Sequence, residues 1–545
     1  MLPDPGAPGL SWRPMKIRLL LLPALLIASA ATSGCAVFVS LPETPGLANL
    51  SEGQVFAMAP PPEWPAAQAD NPQTASIDVS CGIGPRLSTG QLYAAVSVKG
   101  RPAASALAPL NVALVLDRSG SMHGEPFRNM LIAAETFVGQ LRDGDRVSVV
   151  AFSNGVYLAA PPVIIDATTR NVAIGSIRTL IDGGGTNFSG CYLAGLAQVF
   201  GAFNPWQVNQ VVLFSDGQPN IGITDTGELA RIAARAAEHG VATTTIGFGM
   251  EHDELLMQGI SDASGGNYYY VDSPGDMSRI FQQEAGAILR TAARSTDIDL
   301  VLPPGIALEE AIGYDYVAAG GHTYVRIGGV PHDQERFVVF RFRAGSGGQI
   351  PIGLTYSDLA RRGRFGVSCA PGYDGRGGGR DNWALELAGR AEAAWGLQES
   401  MAWADSGSEV FVISQIGYTR GIIASMRERL GPQALGEEDK MLLDAQVNLG
   451  LKVGTQATQS FMSGGVNGLL NFGKQQAASN ATTAIAYNVD KAFQPRTRVT
   501  VQVNFQGSSG TRYVARGTPY KPRDRDASLR FKRARYSSYK MMRAR

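Results

Sequence analysis

Five oxygen-bearing side chains in the middle of the chain have the types and spacing to hold a hard metal ion. They are Asp117, Ser119, Ser121, Thr186 and Asp216. The first three form a DxSxS pattern after the apolar run VALVL (112–116), the threonine stands in a Gly-rich stretch (183–187), and the last aspartate follows VVLFS (211–215). Oxygen donors suit Mg²⁺, Mn²⁺ and Ca²⁺, and a set rich in neutral hydroxyls favours octahedral Mg²⁺, which keeps several of its waters.

A metal ion held by few direct carboxylates keeps much of its positive charge, and one of its coordination positions stays open. A carboxylate from another protein can fill that position, so we expect binding that needs both the divalent cation and an Asp or Glu of the partner. The alternative is that the serines and aspartates only cap the following helix and shape turns. That alternative accounts for one or two of the five residues and not for the set.

The residues around this set alternate between buried strands and amphipathic helices. Strands are predicted at 112–116, 147–152, 210–214, 242–247 and 268–271. Helices are predicted at 127–141, 189–203, 225–239, 253–263 and 274–292. Continuous apolar strands that alternate with helices indicate an α/β fold with a doubly wound, mainly parallel, Rossmann-like sheet. Because such a sheet binds ligands beyond the carboxyl ends of its strands, the five side chains are expected to meet there.

Residues 109–293 resemble a von Willebrand factor A (VWA) domain with its metal-ion-dependent adhesion site (MIDAS), whose pattern is DxSxS…T…D. The likeness extends to TIGFG (244–248) and GNYYY (266–270). The hydroxyl ligands that this resemblance implies are Ser119, Ser121 and Thr186. The carboxylates that it implies bind the metal chiefly through water are Asp117 and Asp216.

The N-terminal residues 1–35 are typical of a secretory signal, with basic residues before the apolar run LLLLPALLIA (19–28). That run is too short for the roughly 20 residues that span a bilayer. Its end resembles a bacterial lipoprotein signal, which implies that Cys35 is lipidated and anchors the protein in the cell envelope, on the periplasmic side or at the surface of the outer membrane. Ordinary cleavage near Ala31 is the alternative, and Met15 is an alternative start.

Both flanks of the α/β segment show alternating strand patterns. Residues 36–75 are Pro-rich and predict a semi-extended tether. Residues 76–108 and 294–370 alternate apolar and polar positions between Gly-Pro turns, which indicates one antiparallel β-sandwich into which the α/β domain is inserted. Bacterial VWA lipoproteins and the inter-alpha-trypsin inhibitor heavy chains look similar in this respect. In an oxidising compartment Cys81 and Cys369 could pair across the insertion.

The C-terminal third is predicted to be less regular. A Gly-rich linker (371–381) precedes a small helical unit (382–452), and residues 453–520 have no assignment. The tail, 521–545, holds ten Lys and Arg against two Asp. With tyrosines and a phenylalanine between the basic residues, the tail could bind an anionic lipid or polymer, nucleic acid being less suited outside the cytoplasm, or it is simply a solvated tail.

Composition narrows the function classes. The near balance of Lys+Arg 48 against Asp+Glu 47 argues against a surface built wholly for nucleic acid, and no HExxH or CxxC motif occurs. His123 is the imidazole nearest to the metal-ligand pattern, and we interpret it as an exposed residue, so the chain is not expected to be an enzyme. Cys191 is interpreted as a buried thiol.

The leading hypothesis is a cell-envelope lipoprotein that binds a protein partner through the metal, in adhesion or envelope assembly. The alternatives are an accessory subunit of a membrane channel or transport complex, and an anchor to an anionic polymer or lipid through the basic tail.

Overall fold

The computed structural model describes most of the chain between residues 46 and 446. The described residues are 46–47, 49–59, 65–103, 107–216, 219–249, 252–271, 273–314, 316–343, 348–373, 381–405, 409–440, 442–443 and 446. They all belong to one unit, Leu41–Arg545. The predicted signal with Cys35 lies outside the described residues. The basic tail and the unassigned stretch before it lie outside them too. In the part of the chain that is described, every helix is too short or too polar to cross a membrane.

The elements follow one another in three blocks. The first block holds α1 (Glu52–Ala57), β1 (Gln68–Ala69), β2 (Ile77–Ile83) and β3 (Gln91–Gly100). The second holds β4 (Leu110–Asp117), α2 (Glu125–Gln140), β5 (Arg146–Phe152), β6 (Val156–Ile164), α3 (Ala167–Arg178), α4 (Phe188–Gly201), β7 (Val208–Ser215), α5 (Thr226–Glu238), β8 (Ala242–Phe248), α6 (Glu254–Ser264), β9 (Tyr268–Val271) and α7 (Met277–Leu289). The third holds β10 (Thr291–Val301), β11 (Ala307–Ile312), β12 (Tyr316–Ala319), β13 (His322–Pro331), β14 (Glu335–Arg343), β15 (Gly348–Gln349), β16 (Ile352–Asp358), β17 (Gly363–Cys369), β18 (Gly372–Tyr373), α8 (Asn382–Asp405) and α9 (Glu409–Leu430).

The second block forms the α/β domain. Its described strands lie in the order β6-β5-β4-β7-β8-β9, and all neighbours are parallel except β6, which runs antiparallel to β5. Helices α2, α3 and α7 bury their apolar faces against one side of the sheet, and α4, α5 and α6 cover the other. The prediction of a doubly wound, mainly parallel, Rossmann-like domain is therefore confirmed.

Two elements of this domain have no counterpart in the sequence analysis. Strand β6 contains Pro161 and Pro162, which an edge strand tolerates because its outer N–H groups have no ladder partner, but which obscure the strand pattern. Helix α3 buries only Ala173 and Ile177, so its apolar periodicity is weak. Both elements bury few residues, and the apolar periodicity of their sequences is therefore weak.

The first and third blocks fold together around the α/β domain. Within the described residues, one sheet has the order β1-β17-β16-β10-β13-β12 and the other has the order β11-β14-β3-β2, and their facing sides share one apolar core. Strand β3 leads into the α/β domain and β10 leaves it, so the domain is an insertion into a β-sandwich, as the alternating flanks predicted. Helices α8 and α9 pack on the outer side of the second sheet, which is consequently buried on both faces.

A disulfide between Cys81 on β2 and Cys369 on β17 joins the two sheets of the sandwich. The two cysteines are 288 residues apart and lie before and after the α/β domain in the chain. The bond therefore closes a long loop that contains the whole domain. A cross-link of this kind stabilises chiefly by restricting the unfolded chain.

Replacing both cysteines with serine is expected to lower the free energy of unfolding of the sandwich by roughly 2–4 kcal/mol. Urea denaturation of the wild type with and without a reductant, beside the double variant, measures this. The reduced wild type should match the variant, and the variant should not respond to the reductant. Identical urea midpoints for the oxidised and reduced wild type would contradict the expectation.

The prediction of a semi-extended tether over residues 36–75 is wrong for two segments, helix α1 and strand β1. Helix α1 begins with a capping box formed by Ser51 and Gln54, and it buries Val55 and Phe56 against α4 and the neighbouring core. Strand β1 pairs in parallel with the edge of β17. Two apolar residues are enough to dock this short helix because α4 and α5 already present a complementary surface, which the sequence of the segment alone does not show.

Ion pairs of Glu52 hold α1 on α5. Its carboxylate lies 2.6 Å from Arg231 and 2.9 Å from Arg235, and the Arg235 guanidinium stacks 4.2 Å from the ring centre of Phe56. The hydrogen bond from Arg231 is the main cause that lowers the pKa of Glu52 to about 2. A lowered carboxyl pKa stabilises the docked helix above the unfolded pKa, and this stabilisation is lost as the pH falls towards 2.

Glu52→Gln is therefore expected to loosen α1 by on the order of 1 kcal/mol at neutral pH, since both arginines are partly exposed and screened. Amide exchange in α1 should be several-fold faster in this variant at pH 7, and the difference from wild type should vanish as the pH approaches 2. Glu228→Gln removes the same charge from the first turn of α5 and serves as the control. Equal exchange of α1 in wild type and Glu52→Gln at pH 7 would contradict the prediction.

Candidate metal centre

Asp117 lies at the carboxyl end of the central strand β4 and is fully buried. Its Oδ1 accepts the backbone N–H of Ser119 at 2.8 Å, and its Oδ2 accepts the hydroxyl of Ser215, the last residue of β7. Because β4 and β7 are parallel neighbours, their ends bring these groups together. Burial raises the pKa of Asp117 against the lowering effect of the two serines. The carboxylate is thus held in a fixed orientation by two adjacent strands.

Two serine hydroxyls link the neighbourhood of Asp117 to Asp216. The Oγ atoms of Ser119 and Ser121 lie 3.0 Å apart, and the Ser121 hydroxyl donates to Oδ1 of Asp216 at 2.8 Å. Both serines belong to the turn between β4 and α2, and Asp216 directly follows β7. Four of the five predicted residues therefore form one hydrogen-bonded cluster that presents carboxylate and hydroxyl oxygen atoms.

Thr186 reaches the same place through the loop before α4. The N–H of Gly120 donates to the carbonyl of Gly184 at 2.9 Å, which ties this loop to the serine turn. Asn220 joins the loop of Thr186 to the loop after Asp216. The side-chain Oδ1 of Asn220 accepts the Thr186 N–H at 3.0 Å, and the backbone N–H of Asn220 donates to the Thr186 carbonyl at 3.3 Å. The φ of +98° at Gly184 favours glycine there. Three loops thus converge at the carboxyl edge of the sheet.

The electrostatics of the cluster fit a cation. Asp216 is only 8% exposed, and burial together with the negative charge of Asp117 raises its pKa to about 7. The buried carboxylates of Asp117 and Asp216 disfavour each other's ionised form. A divalent cation between the loops would offset this repulsion. Among the described residues no group of three or more His, Cys, Asp or Glu side chains could hold a metal. A cation at this place would be held by hydroxyl oxygens together with the two carboxylates, and such oxygen donors suit a hard cation.

A family model for the von Willebrand factor type A domain matches residues 111–283, which are the α/β domain and its cluster of oxygen atoms. The chain contains a VWA domain. Domains of this family generally bind protein partners, and they commonly hold a divalent metal at the MIDAS. The observed order of strands and helices is the Rossmann-like VWA fold.

Curated relatives share this part of the chain. The uncharacterised protein sll0103 of Synechocystis is 27% identical over 274 residues, which are 48% of this chain and 63% of that protein. The inter-alpha-trypsin inhibitor heavy chain H2 of Mus musculus is 25% identical over 193 residues, which are 33% of this chain and 20% of that protein. The chain therefore covers less than two thirds of the length of these relatives. The similarity supports a shared VWA domain and does not extend to the activity of the whole proteins.

A solved structure agrees on the fold. The von Willebrand factor type A protein from Catenulispora acidiphila superposes with a TM-score of 0.50 at 16% identity and covers 68% of this chain and 91% of that chain. The match extends well beyond the 173 residues of the family model. At this identity the likeness shows the fold alone.

Several residues that support the cluster of the five candidate ligands are not predicted from the sequence. Ser215 binds the carboxylate of Asp117, Asn220 binds the backbone of Thr186, and Oδ1 of Asn154 accepts the N–H of Gly185 at 2.6 Å. Ser215 and Asn220 stand one residue before and four after Asp216. The position of Ser215 and Asn220 near the end of β7 is the only sequence signal for these two residues. Asn154 has no such signal, because it comes from a separate turn after β5.

His123 and Cys191 lie near the VWA cluster in sequence but occupy different environments. The His123 ring is 84% exposed, and its Nδ1 lies 2.7 Å from Oδ2 of Asp182. Cys191 is buried in α4, where its thiol contacts the Phe188 carbonyl at 2.8 Å. Burial raises the pKa of that thiol well above its usual range, so the thiolate is disfavoured.

Proposed function

We propose that the VWA domain binds a divalent cation, Mg²⁺ before Mn²⁺ or Ca²⁺, and through it an acidic side chain of a partner protein. The ligands of the cation are Ser119, Ser121 and Thr186 directly, and Asp117 and Asp216 chiefly through water. The observation that carries the proposal is the chain of hydrogen bonds that runs from the Asp117 carboxylate through the Ser119 N–H and the two serine hydroxyls to Asp216. Neutral hydroxyl ligands leave the cation positive enough to attract a further carboxylate.

The biological role that fits this site is adhesion or scaffolding in a bacterial cell envelope, with the chain anchored through a lipid on Cys35. A non-catalytic role is supported by the exposure of His123, because an imidazole in contact with bulk water lacks the enclosed pocket in which a metal-bound water would be activated. The sandwich and the helices α8 and α9 then serve as the body that presents the VWA domain.

The test is calorimetric titration of Mg²⁺, Mn²⁺ and Ca²⁺ into the full chain, with and without acetate as a stand-in for the partner's carboxylate. Wild type should bind one cation, with Mg²⁺ preferred, and acetate should tighten the binding. Asp117→Ala is expected to abolish the heat, because it removes the carboxylate that orients the serine turn.

Asp182→Asn is the matched control. It removes one negative charge from the loop that carries Thr186, at the partner of His123, and leaves the five proposed ligand residues unchanged. Its affinity for Mg²⁺ should stay within about threefold of wild type, since a partly exposed charge contributes less than 1 kcal/mol. Binding that survives in Asp117→Ala, or no binding in wild type with any of the three cations, would overturn the proposed function.

A further inference from the structure

One sheet of the sandwich, β1-β17-β16-β10-β13-β12, carries an aromatic pair beside a carboxylate on its outward face. Ile298 and Leu300 of β10 point into the core, so Asp299 between them points outward. On the neighbouring strand β13, Tyr324 is 43% exposed, and its ring stacks on that of His322 with 5.8 Å between the ring centres. Nδ1 of His322 lies 2.8 and 3.0 Å from the two carboxylate oxygens of Asp299. The two rings and the carboxylate therefore form one partly exposed unit.

A row of five residues crosses this outward face at the level of the carboxylate. By strand register the row runs Val317, Tyr324, Asp299, Gly353 and Ser368. Neighbouring strands are about 4.8 Å apart, so the part of the row from the tyrosine to the serine is about 14 Å long. The row is thus long enough to contact an extended ligand.

Glycines form the floor of the face next to Asp299. A Cβ at Gly353 would come no closer than 3.7 Å to any atom beyond its neighbours in the chain, and a Cβ at Gly366 no closer than 3.8 Å. Two hydroxyl side chains stand beside these glycines, because Thr355 pairs with Gly366 and Ser368 pairs with Gly353. The sheet therefore has a shallow hollow between the carboxylate and the two hydroxyl groups.

The chemistry of this surface matches a sugar. The apolar face of an aromatic ring packs against the C–H groups of a pyranose, while the phenol hydroxyl stays in water. A carboxylate accepts hydrogen bonds at both of its oxygens, so it can bind two neighbouring hydroxyl groups, and serine and threonine both donate and accept. An apolar ring with a few convergent polar groups is a combination typical of small-molecule sites.

An anionic polymer or lipid fits this surface less well than a neutral sugar. Such a ligand would meet the negative charge of Asp299 at the centre of the row. Two arginines of the same sheet, Arg326 and Arg364, lie 3.5 and 4.0 Å from the carboxylate of Asp297, which offsets part of their positive charge. The surface therefore has no excess of positive charge at the row.

A protein partner also fits less well. Protein interfaces have an apolar centre and a polar rim. In this row the order is reversed, because the polar residues and the glycine stand at the centre and the aliphatic residue, Val317, stands at one end.

We propose that the outward face of this sheet binds a neutral oligosaccharide, with one sugar ring on Tyr324 and the next over the hollow at Gly353. Asp299 lies between the two positions and accepts hydrogen bonds from sugar hydroxyls. The site belongs to the sandwich and needs no metal, so it is separate from the cation site proposed for the VWA domain. A chain with both sites would connect a polysaccharide to a protein partner.

The experiment is affinity electrophoresis of the full chain, without denaturant and with a chelator, through gels that contain a soluble polysaccharide. The neutral polymers are a glucan, a mannan, a xylan and glycol chitin, which offers N-acetylated sugars, and dextran sulfate is the anionic counterpart. We expect at least one neutral polymer to retard the chain in a saturable way relative to a gel without polysaccharide. Retardation by none of the neutral polymers, or by dextran sulfate alone, would overturn the proposal.

Variants locate the site. Tyr324→Ala and Asp299→Asn are each expected to weaken the affinity for the polysaccharide about tenfold, because each removes one of the main contacts. Gly353→Val fills the hollow without removing a contact and should have a similar effect. Tyr418→Ala removes a tyrosine of α9 that is 44% exposed and should leave binding unchanged. Equal affinity of wild type, Tyr324→Ala and Gly353→Val would place the sugar elsewhere and overturn the assignment.

Discussion

Asp216→Asn is expected to change the stability of the metal-free and the metal-loaded protein in opposite directions. In the metal-free protein the asparagine keeps the acceptor for the Ser121 hydroxyl and removes a buried charge beside Asp117. The VWA domain should therefore become more stable without metal. With Mg²⁺ at a thousandfold excess over the dissociation constant the wild type gains about 4.1 kcal/mol, whereas the variant lacks the carboxylate that is proposed to hold the cation through water and gains little.

The pH dependence of the metal-free protein follows from the raised pKa of Asp216, about 7 against the ordinary 3.8. The native state holds the proton more tightly than the unfolded state, so stability falls as the pH rises from about 4 to about 7 and stays low above that. Three pKa units correspond to about 4 kcal/mol, which is the upper bound of the gain from Asp216→Asn at pH 8. The variant should show little of this fall.

Thermal unfolding at pH 5 and pH 8, with a chelator or with Mg²⁺, measures both effects. A domain of this size shifts its midpoint by about 2–4 °C for each kcal/mol. The wild type should be the less stable protein at pH 8 with chelator and the more stable one with Mg²⁺. A variant that is destabilised equally under all four conditions would show that Asp216 acts only through its hydrogen bonds and would contradict the prediction.

Glu392→Ala is expected to destabilise the sandwich and its helices by about 3–5 kcal/mol. Glu392 on α8 is 2% exposed and accepts hydrogen bonds from the Tyr93 hydroxyl and from Arg341, both at 2.7 Å. These partners belong to β3 and β14, so the carboxylate fastens α8 to the sheet. Alanine leaves a largely buried guanidinium without its closest counter-charge, and that penalty is larger than the contribution of the pair itself.

Urea denaturation followed by tryptophan fluorescence reports this change, because α8 carries Trp383, Trp395 and Trp403. Glu386→Ala is the control, since it removes an acidic residue of the same helix whose ion pair with Arg390 is exposed. Its effect should stay below about 1 kcal/mol. A loss for Glu392→Ala no larger than that of the control would contradict the prediction. Combining Glu392→Leu with Arg341→Met should recover much of the stability, because neither charge is then buried alone.

Local sequence patterns are enough to predict the doubly wound α/β fold, and the resemblance to the VWA family adds the assignment of the five residues. The continuous apolar runs of β4, β5 and β7 indicate strands that are buried on both faces. In a parallel sheet the residues after such strands meet at one edge, so Asp117 and Asp216 are placed by topology alone. The alternation in the flanks likewise predicted the sandwich.

The sequence failed where a residue's role depends on a distant partner. Nothing in the segment around Val55 and Phe56 shows that α4 and α5 offer them a surface, and so the sequence predicts a tether where the structure has a docked helix. The prolines of β6 and the few buried residues of α3 left those elements without a readable period.

Periodicity along the chain predicts the doubly wound domain and its insertion into a sandwich, and the resemblance of the DxSxS…T…D pattern to the MIDAS adds the candidate metal ligands. The groups that support these residues and elements are visible only in the folded chain. Ser215 beside Asp117 and Glu392 beside Arg341 come from separate elements. A single sequence records no distances between such elements, whereas burial and charge pairing act through those distances.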